Sequence, residues 1–297
     1  MNTSKINLAV VPVAGLGTRM LPATKSQPKE MLPVGRKPVV QYIVDELTRN
    51  GIDRVLFITG AGKDAIENHF DIDAELIQIL RETGKEDLLA ELEFERSPTQ
   101  YFFTRQRQLL GLGHAVLCAE AMVGTQPFVV ALGDSIIGKH ANSDVITRMT
   151  NLFAEHNADA VIAFETVPMS DVQNYGVAKP AANQSHDDVF MLADVIEKPN
   201  RAEAPSNLAI AARYVFSPAI FAELRRTKPG KGGEIQLTDA IRALIHSGKT
   251  VLGVRLGKGE HRYDIGNFES YFRAFVEFAL SDEKHGDALR EYIKTII

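Results

Sequence analysis

Two sets of residues in this 297-residue chain have the types and spacing to do chemistry on phosphates. The first is the turn Ala14-Gly15-Leu16-Gly17-Thr18-Arg19, directly after an apolar run from Ile6 to Val13. Glycines at such a point let the backbone come close to a ligand, and successive free N–H groups can cradle phosphate oxygens. A tight strand-to-helix turn with no ligand would account for the glycines equally well. The continuation is what separates the two readings: residues 15–38 carry Arg19, Lys25, Lys29, Arg36 and Lys37 against a single acid, Glu30, and three prolines stiffen the stretch. Cations crowded in this way repel one another unless they are solvated or meet an anion, and their place beside the glycines points to a polyphosphate. The second set is acidic. Asp134 ends the apolar strand Phe128 to Leu132, at the end of a parallel strand where α/β sheets bind ligands. Asp264 follows another short β segment. Either aspartate could instead cap a helix, since helical patterns follow both.

Two familiar phosphate motifs are excluded. A dinucleotide fingerprint needs a third small residue where Met20 stands. Gly60-Ala61-Gly62-Lys63 is not a P-loop, because Asp64 replaces Ser/Thr and Phe57 occupies the place of the first glycine.

These residues must be positioned by a framework of alternating strands and helices. Strands are expected at 6–13, 55–59, 101–104, 128–132 and 160–167, with helices at 37–50, 62–96, 114–122 and 145–156. Pro38 sits in the first turn of the helix at 37–50, Val40, Ile43, Val44 and Leu47 form its apolar face, and Gly51 stops it. From Tyr175 the texture becomes β-rich (176–180, 188–197, 208–216); helices follow at 218–226 and 236–247, a strand at 250–255, and helices at 267–281 and 284–297. The expected fold class is α/β: a Rossmann-like, mostly parallel mixed sheet flanked by helices, with a β-rich insertion, in one domain.

Composition sets outer limits. With 45% hydrophobic and 24% charged residues the chain is an ordinary globular protein, and a net charge of −5 argues against a nucleic-acid binder. A single cysteine, Cys118, rules out an intrachain disulfide and any zinc site built on several thiolates. No apolar run reaches the ~18 residues of a membrane span, and the first apolar run lacks a small-residue cleavage site, so a cytoplasmic, non-membrane protein is expected.

The run Val13 to Val34 resembles the bacterial UTP–glucose-1-phosphate uridylyltransferases (UDP-glucose pyrophosphorylases) of the sugar-nucleotidyltransferase family. So do Arg105-Gln106 with Gly111-Leu112-Gly113-His114-Ala115-Val116, the segment Gly232 to Ala240, and Arg262-Tyr263-Asp264-Ile265-Gly266. The resemblance implies a nucleotidyltransferase fold with a nucleotide-binding part at about 1–170, a sugar-phosphate part at about 171–266 and C-terminal helices at 267–297. It implies a reaction of UTP with glucose 1-phosphate giving UDP-glucose and pyrophosphate, with Mg²⁺ as cofactor and a homodimer or homotetramer as the assembly. Arg19, Lys29 and Lys198 would be catalytic, and Asp134 and Asp264 would hold the metal. Ala14, Gly15, Gly17, Gln106 and Gly113 would bind the nucleotide, Gln106 matching the imide edge of uracil. Gly176 and Glu197 would bind the sugar. Glu197 and Lys198, as strand neighbours, are expected to point to opposite sides. Many relatives carry a second acid where Ser135 stands, and the alternative that such departures suggest is a nucleotide-sugar-binding, non-catalytic paralogue that modulates a true uridylyltransferase.

Overall fold

The computed structural model describes residues 5–184 and 186–297. Nine strands form one sheet: β1 Leu8–Pro12, β2 Arg54–Thr59, β3 Gln100–Arg105, β4 Phe128–Ala131, β5 Ala160–Thr166, β6 Gly176–Pro180, β7 Val189–Glu197, β8 Leu208–Phe216 and β9 Val251–Arg255. Their order across the sheet is 3-2-1-4-8-5-9-7-6. The first four are parallel, with Leu8 beside Arg54 and Ala9 beside Val129. β8 runs antiparallel to both β4 and β5, β5 and β9 are parallel, and β7 is antiparallel to β9 and β6. The parallel character is thus concentrated in the first half, and the second half is mixed.

Residue parity explains the two-sided core. In β1, Ala9 and Val11 enter one apolar layer while Leu8 and Val10 enter the other. The first layer is closed by the helices Val39–Arg49, Val145–Glu155 and Phe268–Leu280, and the second by Leu112–Leu117, Ala219–Arg226 and Leu237–His246. A sheet buried on both faces requires the continuous apolar strands that the sequence displays. In the helix Val39–Arg49 the residues Val40, Ile43, Val44 and Leu47 are all buried, as the spacing predicts.

The charged stretch 62–96 differs from its expected single helix. It divides into helices Asp64–Phe70 and Ala74–Glu82 and a 3₁₀ segment Glu86–Arg96. Asp73 starts the second helix by accepting a hydrogen bond from the Leu76 N–H, and Gly84, at φ +68°, follows its end. A short two-stranded ribbon, Ser135–Ile137 with Arg262–Asp264, lies outside the main sheet and bears directly on the site. Among the described residues no helix is long and apolar enough to cross a membrane.

Candidate active site

A strand order of 3-2-1-4 reverses between β1 and β4, so the loops leaving their C-terminal ends diverge and open a crevice. A cavity of about 530 Å³ opens there, lined by Ala14, Gly15, Gly17, Arg19, Lys29, Gln106 and Asp134 among others. This volume is in the usual range for small-molecule sites. The loop after β1 is a series of 3₁₀ turns, Thr18–Met20, Ala23–Lys25 and Lys29–Met31, rather than a helix. Gly17 permits it: its φ is +65°, and its carbonyl accepts a hydrogen bond from the Thr24 hydroxyl at 2.8 Å.

The five cations of 15–38 do not act together. Arg19 and Lys29 line the cavity, whereas Arg36 is paired with Glu91 and Asp282, and Lys37 with Asp45. The expected basic cluster is therefore corrected to two cavity-lining cations: acids elsewhere in the fold take Arg36 and Lys37, and Lys25 does not line the cavity. The charge of its neighbour Glu30, which is buried in an ion pair with Lys63 (2.9 Å), favours the ammonium form of Lys29.

Asp134 and Asp264, distant in sequence, are brought together by the ribbon. Asp264 pairs with Ser135, and the Ile265 N–H donates to the Asp134 carbonyl at 2.8 Å. A Cβ placed on Gly266 would stand 2.9 Å from Asp264 Oδ1 and 3.0 Å from Arg19 Nη2, so carboxylate and guanidinium flank one point. Lys29 Nζ lies 2.5 Å from Asp134 Oδ2. Burial would raise the Asp134 carboxyl, but the Lys29 ammonium holds it below the ordinary carboxylate range. Burial, joined by the negative charge of Asp134, pushes the Asp264 carboxyl upward. Two carboxylates that raise one another's cost of ionisation, with a lysine offsetting part of it, are a donor set of hard oxygens suited to a divalent cation. Among the described residues no group of three or more His, Cys, Asp and Glu gathers into a complete metal cage. An ion here would complete its shell with ligand oxygens, as Mg²⁺ commonly does.

At the far side of the cavity Gln106 is buried, and its Nε2 donates to the Gly111 carbonyl and to His114 Nδ1, each at 3.0 Å. Gly113 does not line the cavity; its N–H donates to the Ile235 carbonyl at 2.8 Å, and a Cβ there would stand 2.7 Å from the same oxygen. Its lack of a side chain serves this close approach, which clamps the 106–113 loop to the start of the helix Leu237–His246.

Gly176 and Glu197 face each other across β6 and β7. Thr238, quoted in the sequence pattern but not assigned a role, joins them: its hydroxyl donates to Glu197 Oε2 at 2.7 Å and would lie 3.0 Å from a Gly176 Cβ. No signal beyond its place in that pattern singled it out. The expectation that Glu197 and Lys198 point apart is overturned. Lys198 leaves the strand with φ +45°, which breaks the alternation, and its ammonium lies 3.3 Å from Glu197 Oε1. Lys198 is not among the residues lining the cavity that holds Asp134. A path of contacts links the two regions: the Lys198 N–H donates to the Tyr175 carbonyl, Arg262 lies 4.4 Å from the centre of the Tyr175 ring, and Arg262 is 3.9 Å from Asp264.

Comparison with known proteins shows the family to which the chain belongs. Residues 8–280 match the family described as Nucleotidyl transferase. UTP–glucose-1-phosphate uridylyltransferase 1 of Staphylococcus saprophyticus is 42% identical over 98% of this chain and 99% of its own length. A UTP–glucose-1-phosphate uridylyltransferase of Bacillus subtilis is 42% identical over 99% of this chain and 96% of its own. A UTP-bound UGPase from Acinetobacter baumannii superposes with a TM-score of 0.87 at 37% identity, covering 97% of this chain and 98% of that one. A UDP-glucose pyrophosphorylase complexed with UDP-glucose gives 0.81 at 36% identity, covering 92% and 98%.

Proposed function

Since the chain belongs to the nucleotidyl transferase family, we infer that it transfers the uridylyl group of UTP to glucose 1-phosphate, giving UDP-glucose and releasing pyrophosphate. The observation that carries this reading is the convergence of Gly15, Gly17, Arg19, Lys29 and Asp134 on one cavity at the ends of β1 and β4.

Two polyanions must be brought together, and one of them already carries its nucleophile, an anionic phosphate oxygen. No general base is needed, so the work is positioning and neutralisation. In this account the N–H groups of the Gly15–Gly17 turn, with Arg19 and Lys29, hold the β- and γ-phosphates as they depart. Gln106 reads the base at the wall completed by Ala14, and Gly113 acts by letting the loop that presents Gln106 lie close to Ile235. Gly176 lets Thr238 and Ile210 pack close behind the sugar site, Glu197 accepts from the glucose hydroxyls, and Lys198, turned back at the strand end, meets the sugar's phosphate. Asp134 and Asp264 would hold Mg²⁺, which supplies further neutralisation of phosphate charge. The nucleotide is assigned to about 1–170 and the sugar phosphate to about 171–266. We place the reaction in the cytoplasm, where UTP is made, and propose a homodimer or homotetramer.

The test is a panel of UTP, dTTP, ATP and GTP crossed with glucose, galactose and mannose 1-phosphates. The account expects UTP with glucose 1-phosphate to give the highest kcat/KM. A higher value for any purine triphosphate would overturn the assignment of Gln106.

A further inference from the structure

Arg213 is the largest side chain in the molecule's fully buried set, and nothing in the reaction uses it. Its fork grips Glu46, with Nε 3.2 Å from Oε1 and Nη2 2.6 Å from Oε2, and both side chains are wholly inaccessible. Burying such a pair is costly, and apolar residues of the same volume would commonly serve stability as well or better. The remaining N–H groups show what an apolar pair would not do. Nη1 donates to the Ala212 carbonyl at 3.0 Å, and Nη2 donates to the Ser135 carbonyl at 2.9 Å. Ser135 directly follows Asp134 and is the ladder partner of Asp264. One guanidinium therefore ties β8, the helix Val39–Arg49 and the ribbon that spaces the two carboxylates.

We propose that Arg213, braced by Glu46, is a positioning residue for Asp134 and Asp264, acting through the Ser135 carbonyl to set the geometry in which they meet a divalent cation. The proposal rests on the reading of those aspartates as metal-holding. Groups that orient metal ligands from behind typically contribute about 10–100-fold in metal affinity. Arginine suits the task because its planar fork addresses two acceptors at once, which an ammonium cannot do with the same geometry.

The experiment uses the double variant Glu46→Met/Arg213→Met, which replaces the ion pair with apolar volume and leaves the Ser135 carbonyl without its donor. UTP is titrated calorimetrically into the full chain in EDTA and in Mn²⁺, without sugar phosphate, and thermal midpoints are recorded alongside. Expected is a folded protein that binds UTP in EDTA as wild type does, but whose Mn²⁺-dependent gain in UTP affinity is about tenfold smaller or less still. A gain reduced by less than about tenfold from that of wild type would overturn the proposal. Should the double variant fail to fold, Arg213→Lys, which keeps the charge and loses the fork, is judged by the same limit. A wild-type chain with no Mn²⁺-dependent gain at all would remove the metal reading itself, and the proposal with it.

Discussion

Thr238 and Glu197 show how a single contact shapes the region proposed to bind the sugar. The Thr238 hydroxyl occupies one oxygen of Glu197, while Lys198 lies beside the other. The carboxylate is thereby held in one orientation, as its proposed role toward the sugar hydroxyls requires. Thr238→Val keeps the shape and removes the donor, a charge-assisted hydrogen bond contributing about 1.5 kcal/mol. The KM for glucose 1-phosphate is expected to rise about tenfold, with the KM for UTP unchanged, in steady-state kinetics. Equal effects on both substrates would place Thr238 elsewhere in the reaction. Glu197 and Lys198 also mark where reading by parity stops. The alternation rule holds within β7, but Lys198 lies one residue beyond it in a left-handed conformation; Pro199 marks the strand end, yet it does not announce that hand.

The loop 15–38 shows why elements, rather than residues, decide which charges reach the site. Its glycines and prolines were legible as a rigid turn beside a strand. That Arg36 and Lys37 leave for Glu91, Asp282 and Asp45 depends on acids from other parts of the fold, which spacing cannot reveal. The same limit hid the ribbon: three residues at 135–137 are too few to show a period, although they carry the pairing that joins Asp134 to Asp264. Beneath the loop, Glu30 and Lys63 form an ion pair with side-chain exposures of 2% and 6%. Lys63→Met deprives a buried carboxyl of its ion-pair partner and should cost about 3 kcal/mol near neutral pH. Burial raises the Glu30 carboxyl even with Lys63 present, so in the variant the folded state keeps a proton that the unfolded chain releases above about 4.5. Stability should therefore fall as pH rises from there, and the penalty should be smaller at pH 5 than at pH 8 in denaturant titrations. A penalty that does not change with pH would contradict the buried-charge account.

At the scale of the whole molecule, alternating apolar runs were enough to read an α/β protein, and strand boundaries such as Gly176–Pro180 and Leu208–Phe216 follow the pattern closely. Strand order was not legible. The insertion of β8 between β4 and β5 is a long-range choice, and it is what places Arg213 behind the aspartates. The helix Phe268–Leu280 buries Ala274 and Phe278 but leaves Phe272 58% and Val276 48% exposed. Were the proposed homodimer or homotetramer to pack through this face, Phe272→Glu would give a smaller species than wild type in sedimentation velocity, and identical values would exclude this helix from the interface.

Asp134, Lys29 and Arg19 line one crevice, and there, in the proposed reaction, UTP is attacked by a sugar phosphate. The most direct measurement is pyrophosphate release by the purified chain with UTP and glucose 1-phosphate, wild type beside Asp134→Ala. The account predicts one pyrophosphate per UDP-glucose for wild type. For the variant it predicts turnover lower by at least about a hundredfold, on the order of 3 kcal/mol of barrier, with the fold retained. Near-normal turnover by Asp134→Ala, or no pyrophosphate from the wild-type chain, would contradict it.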